Sequence, residues 1–193
     1  MTANSFVADG FQQHCAGNLP AAEALYRQAL QLDPVNINAL HMLGVLKLGL
    51  GRTDESVALL TEAASVLERS GKIAAMHAAL YNNLGNALRA AGRLDEAMQS
   101  YRCSIALEPT NIETHANLGN ELMLRGQTEE AIDCYQQALY LDAGQASLWS
   151  SLGQAFMRLA RRDEALDAFR TAIRCDPTAP SLRLQLVDVL NLA

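Results

Sequence analysis

Carboxamides are the side chains of this 193-residue chain whose type and spacing point most directly to chemistry. Asn82, Asn83 and Asn86, then Asn117 and Asn120, then Ser150, Ser151 and Gln154 gather around the dipeptides Leu84-Gly85, Leu118-Gly119 and Leu152-Gly153, which follow one another at 34-residue steps. A carboxamide is both donor and acceptor. A row of them at fixed steps can pair with the amides of an extended peptide, which repeat regularly and carry no sequence information. The chemistry is affinity without strict sequence preference.

Residue types that catalyse or bind metals are not arranged for it. His14, His41, His77 and His115 fall at different positions of the repeat and lack partners at ligand spacing, and Cys15, Cys103, Cys134 and Cys175 form no Cys-x-x-Cys pair. There is no phosphate-cradling Gly-x-x-x-x-Gly-Lys loop, dinucleotide fingerprint, Gly-x-Ser-x-Gly elbow or His-Glu-x-x-His helix. The expectation is a chain that is not an enzyme and uses no cofactor or metal. His115 reads as a satisfied interior or edge histidine, and the cysteines as reduced structural residues. A net charge of −6 and a pI near 5.2 argue against nucleic acid, whose phosphates need a basic face. No apolar stretch has the length of a membrane span, and Met1-Thr2-Ala3-Asn4-Ser5 lacks the basic start of a signal peptide. No membrane partner and a cytoplasmic location are expected.

The elements that must position these residues are written in an internal repeat. Gly10, Gly44, Gly85, Gly119 and Gly153 recur at steps of 34, 41, 34 and 34 residues. Seven residues after each comes Gly17, Gly51, Gly92, Gly126 or Ala160. A small residue follows at Ala22, Ser56, Ala97, Ala131 and Ala165, then a large one at Tyr26, Leu60, Tyr101, Tyr135 and Phe169, then another small one at Ala29, Ala63, Ser104, Ala138 and Ala172. Pro34, Pro109 and Pro177 close three of the units. The pattern reads helix, turn, helix, stop, with small residues where two helix backbones approach closely. Acidic pairs such as Asp95-Glu96 and Glu129-Glu130 open most second helices, where the dipole favours negative charge.

With the Leu-Gly pairs and the large residues Phe6, Leu40, Tyr81, His115 and Trp149 opening the first helices, the chain resembles the tetratricopeptide repeat (TPR) family. The resemblance implies an all-α, right-handed α-solenoid. Its single domain, 1–193, would hold five repeats at about 3–36, 37–70, 78–111, 112–145 and 146–179 and an extra helix at about 180–193. An insertion near 67–77 breaks the period: Ser70-Gly71 is the breaker, and the residues after it predict a third unit whose first helix is lengthened by one to two turns. The insertion reads either as a tolerated loop or as a projecting ridge for recognition or dimer formation. The terminal helix spreads Leu182, Leu184, Leu186, Val187, Val189, Leu190 and Leu192 around its circumference, so either a longer protein or self-association through this helix is expected.

In this family the first helices line the inside of the stack, and the inward positions flank the Leu-Gly pair. The resemblance therefore implies that Asn82, Asn83, Asn86, Asn117, Asn120, Ser151, Gln154, Arg89 and Arg158 face a concave, peptide-binding groove. Such a row is similar to the asparagine ladder in the TPR arm of O-linked N-acetylglucosamine transferases, matched here only at Asn83 and Asn117, weakened by Ser151 and broken by Met42 and Ala8 in the first two units. Asparagine beside Leu-Gly also reads as ordinary groove solvation. Val7, Phe11, His41, Met42, Val45 and Leu48 form either an apolar pocket or terminal-unit packing. The functional expectation is a non-catalytic module binding an extended peptide. The alternatives are the substrate-recruiting arm of a larger enzyme, such as a glycosyltransferase, and a self-assembly scaffold.

Overall fold

The computed structural model describes residues 1–191, and every regular element among them is helical. Helices α1 (Ala3–Cys15) and α2 (Leu19–Leu32), α3 (Ile37–Gly49) and α4 (Thr53–Ser70), and α5 (Ala78–Ala90) and α6 (Leu94–Leu107) form three helix-turn-helix pairs in one compact unit, Met1–Glu108. A second unit, from Pro109, holds the pairs α7 (Ile112–Leu124) with α8 (Thr128–Leu141) and α9 (Ala146–Arg158) with α10 (Arg162–Cys175), followed by α11 (Pro180–Asn191). Leu192 and Ala193 of the expected terminal helix lie outside the described residues.

Each pair is locked by one contact that explains the glycine period. A Cβ built on Gly119 would lie 2.7 Å from Cε1 of Tyr135, sixteen residues later, so the ring rests on bare backbone. The same seat holds Tyr26 over Gly10, Leu60 over Gly44, Tyr101 over Gly85 and Phe169 over Gly153. All five large side chains are buried, and each burial contributes roughly 1.5–3 kcal/mol. Where the small residue of the second helix is a serine, it bonds the partner backbone: Ser56 donates to the Gly44 carbonyl at 2.8 Å. Within a unit, each second helix also packs on the next first helix, as α8 does on α9. Stability is therefore a nearest-neighbour sum.

Turns and caps follow from local chemistry. Gly17, Gly51, Gly92 and Gly126 hold the left-handed conformation with φ between 72° and 77°, and Ala160 takes the same role at φ 57°. Asn36 and Asn111 cap α3 and α7, accepting from Ala39 N and Thr114 N at 3.0 Å. The acidic pairs of the second helices have a further partner: Arg93 pairs with Glu96 at 2.7 Å and Arg161 with Glu164 at 2.5 Å, from just before the helix to its first turn. These pairs are half exposed and screened by solvent, so each contributes little to stability. Two charged residues are interior among the described residues, Lys47 and Glu121, each 1% exposed; Lys47 reaches Glu23 at 2.6 Å and Glu55 at 3.6 Å.

Two expectations are corrected. The insertion does not lengthen the first helix of the third pair, since α5 has 13 residues like α3, α7 and α9; the extra turn belongs to α4, with 18 residues. Leu67 is buried on that turn, Glu68 accepts from the Tyr81 hydroxyl at 3.2 Å, and the helix then ends at Gly71 with φ 64°. Residues 72–74 run out of the helix and a short 3-10 turn, Ala75–His77, precedes α5. The cysteines are free, but Cys15, Cys103 and Cys175 are exposed rather than packed. On α11, Leu182 and Val189 are buried while Leu184, Val187 and Leu190 remain open to solvent.

Candidate functional site

Residues beside the Leu-Gly pairs lie on the first helices, and in both units their polar groups are tied together rather than left loose. In the N-terminal unit Asn83 on α5 donates from Nδ2 to Nε2 of His41 on α3 at 2.8 Å. The acceptor nitrogen must be unprotonated, and burial together with the nearby His77 pushes the His41 pKa down to about 4. Asn86 accepts at Oδ1 from the Tyr101 hydroxyl at 2.8 Å. Asn82 is buried at 5% exposure, so its amide is not offered on the surface as expected. Arg89 is exposed.

The C-terminal unit repeats the tyrosine contact and extends it. Asn120 Oδ1 accepts from the Tyr135 hydroxyl at 2.8 Å, and the same hydroxyl accepts from Ser151 on α9. Burial, the larger influence, pushes the Tyr135 phenol up to about 12 and keeps it a neutral donor. The relay Ser151 to Tyr135 to Asn120 engages the amide through its oxygen, and Asn120 itself is exposed. Ser150 is buried and donates to Gln185 Oε1 of α11 at 2.7 Å, the same type of joint between neighbouring first helices as His41 with Asn83.

Gln154 and Arg158 line a cavity of about 340 Å³ with Phe169 in its wall and Gln185 and Asp188 opposite on α11. Arg158 also donates to the Met123 carbonyl, which anchors its guanidinium along α7. Asn117 is half-buried and engaged in a contact of its own. The structure thus joins Ser151 with Asn120 and places Gln154 beside Arg158, while Asn82 is withdrawn. Sequence reasoning missed the tyrosines, Gln185 and Asp188. A partial signal existed for the first: asparagine directly after the seat glycine accompanies tyrosine in the third and fourth pairs, whereas Phe11 accompanies Tyr26, Val45 accompanies Leu60 and Gln154 accompanies Phe169.

Interlocked helical hairpins with a polar first-helix face define a helical-repeat protein. Tetratricopeptide repeat models match residues 36–108 and 146–179, and a TPR repeat model matches 119–159, together most of the sequence. The chain belongs to the tetratricopeptide repeat family, with an α-solenoid fold. Among solved structures it is similar to MamA, at 23% identity over 87% of this chain and 94% of that one, with a TM-score of 0.78. It is also similar to YrrB, described as a TPR protein with an unusual peptide-binding site, at 20% identity over 95% and 90% of the two chains with a TM-score of 0.80. A thermophilic TPR protein of Thermus thermophilus, TTC0263, aligns at 22% identity over 98% and 100% with a TM-score of 0.63. No curated protein matches the sequence. No helix among the described residues is long and apolar enough to cross a membrane.

Proposed function

We propose that the chain is a non-catalytic protein-interaction module that binds an extended segment of a partner on the first-helix face of its C-terminal unit. The carrying observation is the relay from Ser151 through Tyr135 to Asn120, which holds the exposed Asn120 by its amide oxygen before any ligand arrives. Preorganisation of this kind lowers the ordering cost of binding. A partner backbone carbonyl accepts from Asn120 Nδ2, Gln154 supplies a second amide, and an apolar side chain enters the cavity lined by Phe169. In the N-terminal unit Asn83, Asn86 and Arg89 form the corresponding surface. The peptide-binding site described for YrrB supports the reading, as it shows that this fold can serve such a ligand.

The test is affinity capture from a native lysate with the wild type beside the double variant Asn120→Ala/Gln154→Ala, matched for helicity. Loss of two hydrogen bonds worth about 1 kcal/mol each should weaken a captured partner by roughly tenfold or more. Tyr135→Phe, which releases the amide without removing it, should weaken capture by a smaller factor. Identical captures by all three proteins would sink the proposal.

A second reading is supported by α11, where Leu184, Val187 and Leu190 are 64%, 47% and 47% exposed: self-association through this helix. Light scattering at increasing concentration tests it. A constant monomer mass would exclude it, whereas dissociation of an oligomer by Leu184→Ser/Leu190→Ser would support it.

A further inference from the structure

Each compact unit holds a groove on its second-helix side with a first helix as the floor. One lies between α4 and α6 over α5, the other between α8 and α10 over α9. They are built from equivalent positions of the repeat, so each serves as a control for the other.

The N-terminal groove, about 230 Å³, is closed by its own polar groups. Tyr81 on the floor donates to Glu68 on the extra turn of α4, and Arg93 lies among the lining residues with Glu96. The C-terminal groove is about 540 Å³. Trp149 stands at the position of Tyr81 and Ala143 at that of Glu68, so the strap across the groove is gone and the indole N–H turns to the Ala143 carbonyl at 2.9 Å. Tyr140 replaces Ser65, Phe156 replaces Leu88 and Asp167 replaces Gln99. Arg161, the counterpart of Arg93, stacks 4.6 Å above the Phe156 ring and pairs with Glu164. Relative to its counterpart, the groove has gained two aromatic residues, Tyr140 and Phe156, carries tryptophan in place of tyrosine on its floor, and has a carboxylate at Asp167 in place of the one at Glu68.

We propose that this groove docks a basic side chain, arginine or lysine, carried by a partner protein. Long basic side chains combine an apolar stem with a charged head. The stem lies on Trp149 and Leu152 at the floor, and the head reaches Asp167 and the ring of Tyr140 at the rim. Both rim groups are available: Tyr140 is 87% exposed, and the Asp167 side chain is 80% exposed with only a 3.4 Å contact to Arg170. The net charge of −6 adds attraction for a basic partner. This surface is separate from the first-helix face, and neither proposal needs the other.

Trp149 is the single tryptophan, so its emission reports on the groove directly. The intact chain is titrated with a capped alanine peptide carrying one central arginine, and with norleucine and glutamate versions. The expected result is a saturable change in emission with the arginine peptide, roughly tenfold weaker with norleucine and absent with glutamate. Asp167→Lys should weaken the arginine response by about tenfold and Tyr140→Ala severalfold, with unchanged circular dichroism because both side chains are exposed. Asn120→Ala should leave it unaltered. No saturable response, an equal response to norleucine, or an emission change driven by protein concentration alone would each overturn the proposal, the last by making a second copy the occupant.

Discussion

Among single residues, Ala160 and His41 carry the clearest consequences. Ala160 occupies at φ 57° the turn position that glycine fills in the other four pairs. An L side chain in that conformation is strained by about 1 kcal/mol. Ala160→Gly is therefore expected to stabilise the chain by roughly 0.5–1 kcal/mol, less than the full strain because glycine also gains freedom when unfolded. A urea melt with an unchanged slope checks this. For His41 the sign runs the other way from a salt-bridged histidine. Its folded pKa, about 4, lies below the ordinary value of 6.5, so the unfolded chain binds the proton first. Stability should fall as pH drops from about 6.5 towards 4 and then level off for this group, a loss of up to about 3 kcal/mol. His41→Gln, which keeps an acceptor for Asn83, should remove that component, and the difference between the two pH profiles is the measurement. Equal slopes would refute the assignment.

Among the elements, the long α4 is the feature that departs from the repeat. Its extra turn survives because Leu67 is buried and Glu68 accepts from Tyr81. The Tyr81 phenol is pushed up to about 12, first by burial and then by the Glu68 carboxylate. Glu68→Ala should move that titration back towards the ordinary tyrosine range and cost about 1 kcal/mol. Ultraviolet titration of the phenol distinguishes this from mere fraying of the helix end. The placement of the extra turn was not legible in the sequence. Period counting shows seven additional residues, but helical periodicity runs on both sides of Ser70-Gly71. Choosing between α4 and α5 depends on which side finds burial, and Leu67 finds it through contacts distant in the chain. The hairpins themselves were legible because Gly119 and Tyr135, and the four pairs like them, repeat at one spacing. The amides were only half legible. Their type and face could be read, whereas the tyrosine that orients Asn120 and the burial that removes Asn82 depend on side-chain packing.

At the scale of the whole molecule, the contacts fall into two compact units, each with its own interlocked pairs. A fragment beginning at Pro109 is expected to keep its helices and melt cooperatively, because its two helix pairs and α11 pack on one another within the unit. Circular dichroism of the two separate fragments checks this, and a featureless coil spectrum from either would contradict it. The seat of one large side chain on one glycine also sets the kinetics. Every such seat closes across sixteen residues of chain, so all five carry the same modest loop-closure cost. No pair is privileged as a starting point by its wiring, and native contacts of this short reach place the chain among fast folders. Which hairpin nucleates first is then decided by helix propensity and side-chain volume, and a substitution that fills one seat should divert the folding route to another pair.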